Sequence, residues 1–314
     1  MDECPSGLRS TPRKRVRRKP PRVRISLHPQ PSPRSLALRG LCVGAVAALP
    51  VIEFAKQREY GVIINTYGSG GMGLADNIEE TYRLGADGWI FFTERALENK
   101  GEVLQQPCPV VLGGDYLSYG KCDQVTMPNT EAVRFAVGRL LDTGVRTIAV
   151  IGALPGMHGW EDVHDQRDGT QSLRIQGYVQ AHEERGLTVD WRYVIPLLGW
   201  NQHGGVQAAA SMLDSLPCPQ AVLCLNDAIA LGAIHELQRR GLRVPADVQL
   251  IGFDNVPESE YSVPALTTID PHVDDYAKHA VDMLIERIEG YSGPARTYTT
   301  DFTVVERAST KLAR

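Results

Sequence analysis

From Val46 onward the hydrophobic pattern is regular: short apolar runs alternate with stretches of helical periodicity. Val51 to Tyr60 reads as the end of a helix closed by Gly61, and Val62 to Thr66 as a β-branched strand. A helix near Ala75 to Leu84 follows, then strands at Trp89 to Thr93 and Val110 to Leu112, and a helix from Thr130 to Leu141. The spacing next predicts strand Thr147 to Ile151, a long polar loop, helix Ser172 to Glu184 and strand Arg192 to Ile195. Helix Val206 to Leu216, strand Ala221 to Leu225, helix Ile229 to Arg239 and strand Val248 to Phe253 continue the alternation. A last helix, Val273 to Ile288, places Val273, Tyr276, Ala280, Leu284 and Ile288 on one stripe and stops at Gly290.

Strands that are apolar almost throughout cannot have one face in water, so helices must cover both faces of parallel sheets. The class is therefore α/β. At 314 residues the chain exceeds the size, roughly 250 residues, at which single cores stop growing, which suits two lobes. The residue pattern shows no internal repeat.

Composition adds little: 43% hydrophobic and 22% charged residues describe a globular chain, neither disordered nor membrane-embedded. Charge adds more, because the net value of -4 is unevenly distributed. Residues 1 to 39 hold eleven of the 33 Lys and Arg against two of the 37 acids, leaving an acidic body that would not grip a phosphate backbone by itself. Residues 1 to 40 are rich in Arg and Pro and are expected to be disordered. Their abrupt junction with well-patterned sequence points to a mis-assigned start or a shifted frame. A secretory leader fits poorly, since Arg39 leaves only Leu41 to Leu49 as its apolar segment. Six scattered cysteines without a Cys-x-x-Cys pair suit a reduced cytoplasm.

Several motifs invite a chemical interpretation. Gly68 to Gly73 satisfies Gly-x-Gly-x-x-Gly after a strand, but Tyr67 intervenes and Glu94 lies too far on for the ribose-binding acid of a dinucleotide site, so a flexible loop is preferred. No Lys-Ser/Thr follows, which excludes a phosphate loop, and there is no Gly-x-Ser-x-Gly elbow. His158, Asp162, His164, Asp165 and Asp168 crowd one loop without the spacing of an ordered ligand set, so no metal is expected. Asn226-Asp227 and Asp254-Asn255 stand at carboxyl ends of predicted strands, where open α/β sheets bind ligands, although such residues also cap helices and turns.

These residues resemble a known family. Arg174-Ile-Gln-Gly177-Tyr178, Asn226-Asp227-Ala228-Ile229-Ala230-Leu231-Gly232, Ile251-Gly252-Phe253-Asp254, Pro264 to Ile269 and Val304 to Thr310 are similar, in order, to motifs of the LacI/GalR transcription regulators. The resemblance implies two Rossmann-like lobes of the periplasmic-binding-protein type I kind, parallel sheets flanked by helices, joined by three crossovers. Residues 41–145 plus 272–297 would form the first lobe and 146–271 plus 298–314 the second. A small effector would lie between them. Arg174 would fork onto its hydroxyls, Asp254 would accept from them, Asn226 and Asp227 would line the cleft, and Trp200 would supply an aromatic wall.

The resemblance further implies a homodimeric, cytoplasmic, non-enzymatic repressor whose core senses a sugar-like metabolite and whose operator DNA is held by a headpiece, with no cofactor and no membrane partner. No helix-turn-helix is legible in the first fifty residues, and Val23 to Leu27 is the only candidate for the family's first strand. Pro271 and Val273 stand where some members place polar or aromatic ligand contacts. An exported sugar-binding protein of a transporter and an NAD-dependent oxidoreductase are the alternatives.

Overall fold

The computed structural model describes residues 35–39, 43–65, 85–93, 96–97, 101, 104–166 and 168–312. Among them, two six-stranded sheets organise the chain. The first is built from β1 (Ser35–Arg39), β2 (Gly61–Asn65), β3 (Gly88–Phe92), β4 (Val110–Gly113), β5 (Asp123–Thr126) and β11 (Thr297–Thr299), in the order β11-β5-β4-β3-β1-β2, all parallel. The second contains β6 (Ile148–Ala153), β7 (Val194–Pro196), β8 (Ala221–Cys224), β9 (Gln249–Phe253), β10 (Thr267–Asp270) and β12 (Thr303–Val305), in the order β12-β10-β9-β8-β6-β7. Only the β10/β12 pair is antiparallel.

Every residue of β3, β6 and β8 is buried, as unbroken apolar runs require when both faces are covered. The covering helices are α1 (Val43–Gln57), α2 (Asn129–Asp142), α3 (Thr170–Glu183), α4 (Gln202–Ser215), α5 (Asp227–Arg239), the short α6 (Pro257–Tyr261) and α7 (Val273–Ile288). α7 lays Tyr276, Ala277, Ala280, Val281, Leu284 and Ile285 against α1 and strands β3 to β5, following its predicted stripe. α2 packs on α3, and α4 on α5. These pairs approach closely because each has glycine at the contact: a side chain on Gly177 would come within 2.3 Å of the Thr130 carbonyl oxygen, and one on Gly232 within 2.1 Å of that of Gln202.

Two expectations require correction. Residues 35–39, expected to be disordered with the rest of the Arg/Pro-rich front, form β1, which sits between β2 and β3 and so has both backbone edges paired. Composition averaged over forty residues hides a five-residue strand whose neighbours lie farther along the chain. The segment 23–27, the earlier candidate for that strand, lies outside the described residues, as do the glycine loop, Glu94 and the helix predicted near 75–84. Second, the first lobe does not run to residue 145: α2 packs on α3 and on β10 and β12, so it belongs with the second sheet. Conversely, β11 keeps residues through Thr299 in the first sheet. Three connections therefore pass between the sheets, at β5 to α2, β10 to α7 and β11 to β12.

Candidate functional site

Parallel strands present their carboxyl ends at one edge of a sheet, and side chains just beyond those ends are free of the ladder and can converge. Arg174 enters from the first turns of α3 and is 1% exposed, which for a guanidinium demands partners. Its Nε donates to Asn129 Oδ1 at 2.7 Å and its Nη1 to the Leu225 carbonyl, while Nη2 lies 3.8 Å from Asp254 Oδ1. The guanidinium carbon stands 3.4 Å from the centre of the Phe253 ring and 5.6 Å from that of Trp200. Burial lowers the pKa of Arg174, and the charges of Asp254, Asp115 and Asp227 oppose that shift.

Asp254 follows β9 with a left-handed φ of 107°, and its backbone N–H donates to the Ile269 carbonyl at 2.8 Å. That turn lifts the carboxylate off the sheet edge and leaves it 19% exposed. Burial pushes the carboxyl up to about 7, helped by the like charges of Asp227 and Asp115 and opposed by Arg174. Trp200, ahead of α4, donates Nε1 to the Gly152 carbonyl at 3.0 Å, which fixes the indole plane beside Arg174.

Asn226 is the N-cap of α5: its Oδ1 accepts from Ile229 N–H at 2.8 Å and its Nδ2 reaches the Trp200 carbonyl at 3.4 Å. Asp227 is fully buried and looks inward, accepting from Val256 N–H (3.0 Å), Ser259 Oγ (2.7 Å) and Thr268 Oγ1 (2.6 Å). Burial raises its carboxyl to about 6 against these three donors. Of the five residues singled out in the sequence, Arg174, Asp254 and Trp200 are thus brought together and Asn226 borders them. Asp227 is corrected from a cleft-lining residue to an internal brace, because its oxygens are occupied by its own sheet and by α6.

Two residues of the site were missed. Asp115, just past β4, accepts from Thr126 Oγ1 (2.6 Å) and Met127 N–H (3.3 Å) with one oxygen and from Thr170 Oγ1 (2.7 Å) with the other. It therefore bonds the first sheet to the start of the helix that carries Arg174. The carboxyl-end rule that singled out Asp254 applies equally to Asp115. Asn129, the Nε partner of Arg174, opens α2 and carries no comparable signal. In the polar loop after β6, Asp162 accepts from the N–H groups of His158 and Gly159 within the loop, and Asp168 from that of Leu117 in the segment between β4 and β5. No group of three potential metal ligands occurs among the described residues, and no helix among them is long and apolar enough to cross a membrane.

Two helix-flanked, mostly parallel sheets with charged and aromatic side chains gathered at strand ends define a binding protein of the two-sheet, periplasmic type. Residues 137–310 match the family described as periplasmic binding protein-like domain. A LacI-type transcription regulator from Bifidobacterium animalis subsp. lactis has a crystal structure similar to this one, with a TM-score of 0.84 and 50% identity over 88% of this chain and 99% of that one. The ribose operon repressor of Haemophilus influenzae is 26% identical over 259 residues, 82% of this chain and 74% of the repressor. The HTH-type transcriptional repressor CytR of Escherichia coli is 30% identical over 203 residues, 65% of this chain and 56% of CytR. The chain belongs to the LacI family of transcription regulators. It spans only about half the length of CytR.

Proposed function

We propose that this chain is an effector-responsive repressor that acts as a cytoplasmic homodimer without catalysing a reaction, and that the space beside Arg174, Asp254 and Trp200 takes a sugar or related small metabolite. The observation that carries this reading is the buried Arg174 guanidinium, held between Phe253, Trp200 and Asp254 at the carboxyl ends of the strands. A guanidinium offers paired donors, a carboxylate accepts paired hydroxyl protons, and an indole covers the C–H face of a ring. Operator DNA would be held by a headpiece outside the described residues, because the body itself is acidic. The effector would act by preferring one relation of the two sheets over another. Reversing a 1:99 balance takes a preference of about 5.5 kcal/mol.

A thermal-shift screen over sugars and nucleosides, repeated with Arg174→Ala and Asp254→Ala, tests the reading. The stabilising compound is expected to lose most of its effect in both variants. If it stabilises both as strongly as the parent chain, the site is misplaced.

A further inference from the structure

Two of the three connections between the sheets start side by side, because β5 and β11 are neighbours in the first sheet. One of them holds a group with no role so far. β11 ends at Thr299 and β12 begins at Thr303, so residues 300–302 alone make that passage. Thr300 is 3% exposed, and its N–H donates to the Thr126 carbonyl at 3.1 Å, adding a last rung to the β11/β5 ladder. Its Oγ1 has no hydrogen-bond partner. Buried hydroxyls are normally satisfied, and an unpartnered one destabilises the arrangement that buries it.

Thr126 joins this passage to the contact between the sheets. Its carbonyl takes the Thr300 N–H, while its hydroxyl donates to Asp115 Oδ1 at 2.6 Å, and Asp115 Oδ2 accepts from Thr170 Oγ1 of α3 at 2.7 Å. Beyond Thr300 the chain leaves for the second sheet. Asp301 is exposed, and Phe302 packs edge to face on Phe135 of α2 with ring centres 5.8 Å apart. Thr300 thus stands between a strand fixed in the first sheet and an aromatic pair fixed beside the second. β11 and β12 are held by their own ladders, so a turn of one sheet against the other has to bend the chain between them.

We propose that the Thr300 hydroxyl biases the hinge toward opening: it is shut away without a partner only while the two sheets hold their present relation, so a turn of the sheets that bends residues 300–302 relieves it. Bending admits water to Oγ1, and water both donates to and accepts from a hydroxyl. The same turn breaks the Asp115 to Thr170 bond, because Thr126 carries the rung to Thr300 and the bond to Asp115 together. Thr300 therefore opposes the contact that Thr170 makes. An effector that prefers the present relation works against this bias, and the share of chains already in that relation scales its apparent affinity. The proposal rests on the reading that the two sheets change their relation, and it adds a residue that sets the balance without touching the ligand.

Amide hydrogen exchange of the full chain without ligand tests this, so the outcome does not depend on which compound the cleft takes. Thr300→Val keeps the shape and removes the hydroxyl. Amides of residues 113–118 and 168–170, at the contact between the sheets, are expected to exchange about ten-fold more slowly in Thr300→Val, or about 1.4 kcal/mol. Thr300→Ser, which keeps the hydroxyl, should exchange there like the parent. A hydroxyl that stays buried whatever the relation of the sheets would behave differently: its removal would slow only amides of β6 and β8, which open with the whole fold, and raise the denaturant midpoint. That pattern overturns the bias and leaves the cleft reading standing, as does unchanged or faster exchange at 113–118. A thermal-shift screen with no stabilising compound would remove the cleft reading and leave slowed exchange at 113–118 as evidence for the hinge.

Discussion

In the proposed site, Asp254 is the residue at which protonation and binding would meet. Its carboxyl is pushed up to about 7 by burial, and the charged groups that face it are Arg174, which opposes the shift, and Asp227 and Asp115, which add to it. A ligand hydroxyl that donates to Asp254 favours the ionised form, so effector affinity should rise as pH is raised through about 7 and level off above it. Asp254→Asn should bind weakly at every pH and flatten this profile in calorimetric titrations. Stability runs the other way. The folded pKa values of Asp254 and Asp227, about 7 and about 6, lie above the ordinary 3.8, so between these values the native state binds more protons than the unfolded chain. Their contribution is whole below about pH 4 and falls as pH rises toward 7. Denaturant midpoints of the ligand-free protein should show that decline, and Asp227→Asn should remove the part that ends near pH 6; a profile unchanged by this substitution would mean that Asp227 does not take up its proton on folding.

At the level of elements, helix pairs in the second lobe are set by glycine contacts. Gly232→Ala would gain helix propensity of about 1 kcal/mol in an open helix. Here the added carbon would lie 2.1 Å from the Gln202 backbone oxygen, which a flexible side chain cannot relieve. Overpacking of this kind costs about 1–3 kcal/mol, so net destabilisation is expected in urea titrations, and Gly177→Ala should behave alike against Thr130. These two contacts also give physical content to the Arg-x-x-Gly-Tyr and Asn-Asp-x-x-Ala-x-Gly patterns. Elements with a continuous apolar run or a helical stripe, such as β6, β8 and α7, were legible in the sequence because burial alone specifies them. β5 was not, because its first residue is Asp123, fully buried and held at 2.7 Å by each of Arg287 and Arg296 from far along the chain. Hydropathy cannot see a charge whose partners lie over 160 residues away. The three-residue β11 and β12 are too short to show a period, whereas β7 forms two residues later than the strand expected from Arg192, because Trp191–Tyr193 make a 3-10 turn. In the site, position at a strand end pointed to Asp227 and Asp254 alike. Only the fold separates the inward-braced carboxylate from the one left partly open by a left-handed turn.

Across the whole molecule, the groups of the proposed effector site are tied to the segments that cross between sheets. Asn255, beside Asp254, donates Nδ2 to Asp270 Oδ2 at 2.9 Å and accepts from Arg307 at 2.8 Å, while Asp270 Oδ1 accepts from His272 N–H at 2.8 Å. The turn that aims Asp254 is therefore anchored to the β10 to α7 crossing and to the chain beyond β12. On the other side, Asp115 of the first sheet holds Thr170 at the head of the Arg174 helix, and Gly169 N–H donates to the Asp115 carbonyl at 2.9 Å. The Asp115 bonds join the first sheet to a helix of the second and exist only while the two sheets keep their present relation, so a ligand that spans both sides should strengthen them and be strengthened by them. Thr170→Val keeps the shape and removes the donor to Asp115. A hydrogen bond to a charged group contributes about 1.5–3 kcal/mol, so the bound sugar should weaken by roughly ten-fold or more although Thr170 is not assigned to touch it. Amide exchange of residues 113–118 should quicken in the free variant and return toward the parent rate at saturating sugar. Unchanged affinity with a lowered denaturant midpoint would place the Asp115–Thr170 bond in the static frame of the protein, and coupling between the sheets would then have to run through the Asn255, Asp270 and Arg307 side alone.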